Sequence, residues 1–290
     1  MSQSVIRILT DSACDIPFET EKAHPCLTIL PIPLTLDGKG YYERVDFTFE
    51  SYYDALDTCK EVPCTAHITN LTFLEQYEKA WQEGCTHLLH VTIYSGASNM
   101  YDAAHQARQM FAEEHPEAQM EIRILDSNCY TMGYGYPLVQ AAKMVEAGED
   151  FDKICDYVSD YLSRLEIYFS PFTLRFVKKS GRISCAAAFV GDLLGLRPII
   201  SAVGTTSMVD KVRGNSAVVN YLARFFEKNR AKAKQEPYLI LTARRNDSVD
   251  ELAAACEKLA GYPPEGIFQI GAAVSTNTGP DIVGITFLHD

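Results

Sequence analysis

Three segments of this chain gather hydroxyls and acids directly behind apolar runs: Thr10-Asp11-Ser12, Tyr94-Ser95-Gly96-Ala97-Ser98 and Asp126-Ser127-Asn128. Thr65 lies in a fourth, Pro63-Cys64-Thr65-Ala66, just ahead of a helical pattern. In an open α/β sheet, ligands bind beyond the carboxyl ends of the strands, where loops feed helix N-termini with unpaired N–H groups and positive dipole ends. Hydroxyls and amides converging on such a rim suit a carboxylate or a phosphate. The same residues also suit plainer work. Spacing alone favours Ser12, Ser98 and Ser127 as helix caps or turn closers, and Gly96 as relief for a tight turn. Asp11 and Asp126 could serve as a general base or as Mg2+ ligands, yet no GxxxxGK[ST] loop accompanies them, and Tyr94-Ser95-Gly96 is not the GxSxG of a nucleophile elbow. An autonomous kinase or a serine hydrolase is disfavoured, and no residue is assigned a catalytic role.

The second half offers cations. Lys178-Lys179-Ser180-Gly181-Arg182-Ile183-Ser184 precedes an apolar helical pattern, and Lys211-Val212-Arg213-Gly214 closes one strand pattern and opens a helix. Asn277-Thr278-Gly279-Pro280 separates two expected strands, which places it on a turn that could face the other half of the chain. Each of these also reads as an ordinary surface feature. Taken from the residues alone, the pattern supports an anion site between two domains and goes no further.

The elements that must position these loops follow from periodicity. Short Val, Ile and Leu runs at 5–9, 27–36, 87–92 and 121–125 alternate with helical patterns, the signature of βαβ units around a parallel sheet. Leu71, Leu74, Tyr77, Glu78 and Trp81 recur at helical spacing after an extended loop, with Thr72 to Glu75 in capping-box form. A further helix is expected after Ser98. From Tyr134 to Leu165 the pattern is helical, interrupted at Gly148-Glu149-Asp150. The second half predicts strands at 167–170, 197–202, 208–212, 238–241, 266–274 and 283–288. Its helices are expected at 185–194, 217–232 and 249–259, the last with a capping box at Ser248. The fold class is α/β in two domains: residues 1–165 around a parallel sheet, and residues 166–290 as a mixed-sheet α/β domain.

Composition narrows the class. With 290 residues, 47% hydrophobic, the chain can bury a full core. A formal charge of −12 without a long Lys/Arg run argues against nucleic acid as a partner. No apolar stretch reaches the roughly 18 residues of a bilayer span, and the polar start lacks a signal-peptide pattern, so the cytoplasm is the expected location. Nine cysteines stand singly without a CxxC pair, which fits reduced core thiols. The histidines are dispersed with no HExxH, and neither a metal nor a cofactor is expected.

Taken together, these segments resemble the DegV family. Its TDSxxD is matched by Thr10 to Asp15, its threonine loop by Val62 to Ala66, and its ISSGLSGTY by Ile93 to Tyr101. The DS with a following glycine pair is matched by Asp126-Ser127 and Gly133-Tyr134-Gly135. KKGGRIS and its alanine-rich helix fall on residues 178–188, KP on Arg197-Pro198 and KVRG on Lys211 to Gly214. Each motif alone is weak, but so many in register over nearly the whole chain are specific.

The resemblance implies a two-domain α/β protein that encloses a fatty acyl chain and holds its carboxylate near the domain junction. It implies Thr65, Ser95 and Gly96 as carboxylate contacts, with Ser127 and Ser98 behind them. In the family, a separate ATP-dependent kinase phosphorylates the bound acid to an acyl phosphate. Arg182 and Arg213, with Asn277 and Thr278, would then face the phosphate or the partner, and transient membrane contact would serve lipid exchange. Three positions depart from the pattern: Ser180 for the first glycine of GGRIS, Tyr94 for the first serine of ISSG, and Asn277 for the histidine of HTGP. The last would affect kinase coupling more than lipid binding, because asparagine hydrogen-bonds only as a neutral amide. Two other readings remain: a small polyol or keto ligand, by relation to dihydroxyacetone kinase subunits, and a metal-dependent hydrolase using Asp11 or Asp126.

Overall fold

The computed structural model describes residues 4–183 and 195–290. The first half builds a four-stranded parallel sheet from β1 (Ile6–Asp11), β2 (Leu27–Leu30), β6 (His87–Thr92) and β7 (Glu121–Asp126), in the order β2-β1-β6-β7. Its helices are α1 (Phe18–Ala23), α3 (Asn70–Gln82), α4 (Met100–Glu114), α5 (Met132–Glu146) and α6 (Phe151–Ser163). A continuous apolar run such as Leu88, Leu89 and Val91 is buried on both faces, as expected for strands covered by helices on each side.

The run at 27–36, expected as one strand, is two. β2 stops at Leu30, and β3 (Pro33–Leu36) pairs instead with β4 (Lys39–Tyr42) and β5 (Cys64–Thr65) in a small antiparallel sheet. Pro31 and Pro33 lack the N–H a continuing ladder needs, so the chain turns out of the parallel sheet there. The expected long loop before α3 holds β4, α2 (Phe49–Thr58) and β5. The α2 N-terminus is a capping box, with Thr48 and Ser51 bonding reciprocally. α3 is capped by Thr69, whose Oγ1 accepts from Thr72 N–H at 3.3 Å, rather than at Thr72.

The second half is a six-stranded mixed sheet ordered β10-β9-β8-β13-β11-β12. Its strands are β8 (Leu165–Pro171), β9 (Leu196–Ser201), β10 (Ser207–Arg213), β11 (Tyr238–Thr242), β12 (Gly266–Gln269) and β13 (Ile282–Leu288). Helices α7 (Val177–Ser180), α8 (Asn215–Asn229), α9 (Asp247–Ala260) and α10 (Ala272–Thr278) complete it. α9 is capped by Asn246, which accepts from Ser248 N–H at 3.1 Å, so the cap lies two residues before the expected one. The helix expected at 185–194 lies outside the described residues.

Alternation along the strands divides this sheet between two cores. Tyr168, Ile240, Val283, Ile285 and Phe287 pack under α8 and α9, whereas Ile167, Phe169, Leu239 and Leu241 join the core of the first half. The inner face of the mixed sheet is therefore packed against the first half, and the site forms along that junction. The eight cysteines among the described residues are unbridged, four of them in the main core, as expected for small apolar side chains. No described helix is long and apolar enough to cross a membrane.

Candidate functional site

A cavity of about 380 Å³ lies where the loops beyond β6 and β7 meet the inner face of the mixed sheet. Its apolar wall includes Ile32, Ile93, Ile167, Phe169, Leu241 and Ile282, side chains from both halves. Ile167 and Phe169 reach it together because residues two apart on a strand share a face. The polar side carries Thr65, Ser95, Gly96 and Ser98 from the first half, and Arg182, Asn277 and Thr278 from the second. Among the described residues no Asp or Glu lines this cavity, while Arg182 and His67 do. In a chain of net charge −12 that is a local environment favourable to an anion.

The loop from Tyr94 to Asn99 is held by two acids, the buried Asp11 and the half-buried Asp126. Asp11 Oδ2 accepts Ile93 N–H at 2.8 Å, and Asp126 Oδ1 accepts Ser95 N–H at 3.0 Å and Asn128 N–H at 2.9 Å. Asp11 Oδ1 takes the Tyr134 hydroxyl at 2.7 Å and Ala13 N–H at 3.1 Å. Burial pushes the Asp11 carboxyl up to about 6, and these donors work against that rise. Asp11 is fully buried and stands behind the wall, a position that fits a structural clamp better than the general base of a hydrolase.

The Tyr94 ring folds over Gly96, where a Cβ would displace it. Tyr94, one of the departures from the family pattern, also meets Tyr130 edge-on at 6.2 Å. Ser98 Oγ lies 3.4 Å from Met100 N, near the start of α4, and still lines the cavity. Ser127 does not line it. Its Oγ donates to Cys129 O at 3.1 Å and receives Cys129 N–H at 3.3 Å, closing its own buried turn.

Arg182 is exposed at the wall, and its guanidinium turns back to Ser180 O at 2.9 Å while its N–H bonds Ser180 Oγ at 3.1 Å. Ser180, the second departure, thus fixes the backbone that presents Arg182. Arg213 ends β10 and is exposed, whereas the cavity-lining Thr206 immediately precedes that strand. Seven residues of extended chain separate the two by roughly 23 Å, so Arg213 and the cavity are not brought together.

Residues 266–274, expected as one strand, end as a strand at Gln269, and 272–278 form α10. Asn277 and Thr278 are therefore in the last turn of a helix and not on a hairpin. Asn277 Nδ2 donates to Ala273 O at 3.0 Å and Thr278 Oγ1 to Val274 O at 3.3 Å, each to the carbonyl four residues back. Sequence reasoning did not single out His67, Tyr130, Thr131 or Thr206, all on the wall. Thr131 holds φ 59°, strained for a β-branched residue, and Thr206 Oγ1 donates to Tyr130 Oη at 2.9 Å. Only the fold reveals these neighbours. Away from the cavity, Glu78, Glu114 and His115 bring three ligand-type atoms within 4.8 Å, with His115 Nε2 already on Glu78 at 2.9 Å.

The family model described as "Uncharacterised protein, DegV family" matches residues 5–290. The DegV domain-containing protein CPE0304 of Clostridium perfringens is 25% identical over 98% of this chain and 99% of its own. Among solved structures, the fatty acid binding DegV family protein SAG1342 from Streptococcus agalactiae superposes with a TM-score of 0.86 at 25% identity, covering 99% of both chains. A stearic acid-binding protein from Eubacterium ventriosum superposes at 0.85 with 22% identity and 98% coverage of both, a likeness of fold. The match over almost the whole chain makes this protein a member of the DegV family.

Proposed function

We propose that the protein encloses one long-chain fatty acid in the cavity at the junction of its two halves. The observation that carries this reading is the cavity itself: an apolar wall drawn from both halves, several hydroxyls with Arg182 and, among the described residues, no carboxylate. The tail supplies affinity. At about 0.8 kcal/mol per buried methylene, a long saturated chain offers on the order of 10 kcal/mol before ordering costs. The head is oriented by Thr65, Ser95 and Gly96, with Ser98 beside them. In this reading the loops of residues 1–165 hold the carboxylate and residues 166–290 enclose the tail.

The protein acts as a carrier that presents the acid to a separate ATP-dependent kinase. One carboxylate oxygen attacks the γ-phosphorus, the bond to the ADP oxygen breaks, and an acyl phosphate forms. The carrier keeps water from the tail, holds the attacking oxygen still and places Arg182 near the growing charge. Denaturing extraction of the recombinant protein followed by lipid mass spectrometry tests the reading. We expect a fatty acid at close to one per chain. Recovery of none, together with no saturable uptake of added oleate or palmitate, removes it.

A further inference from the structure

Helix α10 begins on two acids from the other half of the molecule. Asp15 Oδ1 accepts Gly271 N–H at 2.8 Å, and Glu43 Oε1 accepts Ala273 N–H at 2.8 Å. Both carboxyls crowd the same spot: a Cβ on Gly271 would collide with Glu43 Oε1 and Asp15 Oδ1 alike. Both side chains are almost wholly buried. Glu43 Oε2 takes the Ser12 hydroxyl, which itself receives Ile32 N–H at 2.9 Å. Three of the four carboxyl oxygens thus have a donor. The fourth, Asp15 Oδ2, is buried with no hydrogen-bond partner.

A buried ionised oxygen without a donor is far more costly than a neutral carboxyl oxygen, and once protonated it needs no donor and becomes one itself. Two negative charges at one buried point are also mutually unfavourable. We infer that Asp15 and Glu43 hold one proton between them, carried on Asp15 Oδ2, and that this neutralised pair positions α10 and the cavity residues it bears, Asn277 and Thr278. This deepens the proposed lipid binding and rests on it. Burial raises both carboxyls above the ordinary range, and for Asp15 the neighbouring Glu43 adds to the rise.

Arg44 is the cation that faces the pair, and it offsets the rise of both carboxyls only in part. Arg44 is engaged by Glu21 at 2.7 Å and by Ile16 O at 2.5 Å. Asp11 is a further acid, and Cys14, Tyr52, Tyr53 and Tyr134 are pushed up by burial and stay neutral. The sign follows. A carboxyl with a raised folded-state pKa contributes stability below its unfolded value and loses it as pH rises through the folded one. Alkali should therefore charge Asp15, loosen the α10 N-terminus and weaken ligand binding.

The test compares the full-length wild type with Asp15→Asn and Glu43→Gln, using palmitate as the probe. Asparagine keeps an oxygen for Gly271 N–H and places a neutral NH2 where the proton would sit. Wild-type affinity should fall as pH rises through the raised Asp15 pKa, above the ordinary carboxyl range, with a limiting slope of about tenfold per pH unit for one linked proton. Asp15→Asn should stay flat. The ionisation of palmitate is common to all three proteins and drops out of the comparison. Infrared difference spectra of the folded proteins at neutral pH should show a protonated-carboxyl band that Asp15→Asn lacks. In Glu43→Gln, without the like-charged neighbour, that band should disappear at lower pH than in wild type. An Asp15→Asn slope equal to wild type, or a band unmoved in both variants, overturns the inference. A wild type that binds no palmitate at any pH sinks the lipid reading instead, and the infrared band still decides the proton.

Discussion

Asp126 holds Ser95 across the sheet: its Oδ1 accepts the Ser95 N–H at 3.0 Å from the end of the neighbouring strand. The hydroxyl-bearing loop is thus set by a carboxylate that does not itself line the cavity. Asp126→Ala should weaken fatty acid binding by about 0.5–1.5 kcal/mol by releasing the Ser95 loop, while the thermal midpoint moves little because the two N–H groups it frees are exposed and can turn to water. Asp126→Asn, which retains an acceptor oxygen, should lose less. Equal affinity in wild type and the alanine variant, read by titration calorimetry, would detach this acid from the site.

The hydroxyls themselves are tested directly. Ser95→Ala and Thr65→Val should each cost roughly 1.5–3 kcal/mol in fatty acid affinity, the value of a hydrogen bond to a charged group. Neither side chain packs in the buried core, so circular dichroism and melting should match wild type. An unchanged dissociation constant in the double variant would place the carboxylate at another part of the cavity.

Asn277 supplies a third measurement. Its amide is bonded to Ala273 O within α10, and it lines the cavity. A protonated imidazole there would stabilise a nascent phosphate dianion better than a neutral amide does, while the proposed contacts of the unphosphorylated carboxylate are Thr65, Ser95 and Gly96 of the first half. Asn277→His should leave fatty acid affinity within a few fold and increase acyl phosphate formation with a cognate kinase, most clearly at mildly acidic pH. A large change in affinity with no change in turnover would assign Asn277 to carboxylate binding instead.

By itself the sequence determined the α/β class, the parallel sheet of the first half, and the loops behind β6 and β7, because alternation, capping residues and hydroxyl clusters are local signals. Local signals marked the loop of Ser95, Gly96 and Ser98, and the family resemblance singled those residues out. Tertiary structure decided what such signals cannot carry. Ser127 looks like its neighbours in sequence but closes its own turn, and Arg213 lies a strand's length from Thr206 at the cavity. In sequence, residues 272–274 read as the end of a strand and 277–280 as a turn. Residues 272–278 are a helix because its first amides are taken by Asp15 and Glu43, 256 and 230 residues away. A bond of that span leaves no periodicity in the chain, since the partners become neighbours only once both halves have packed.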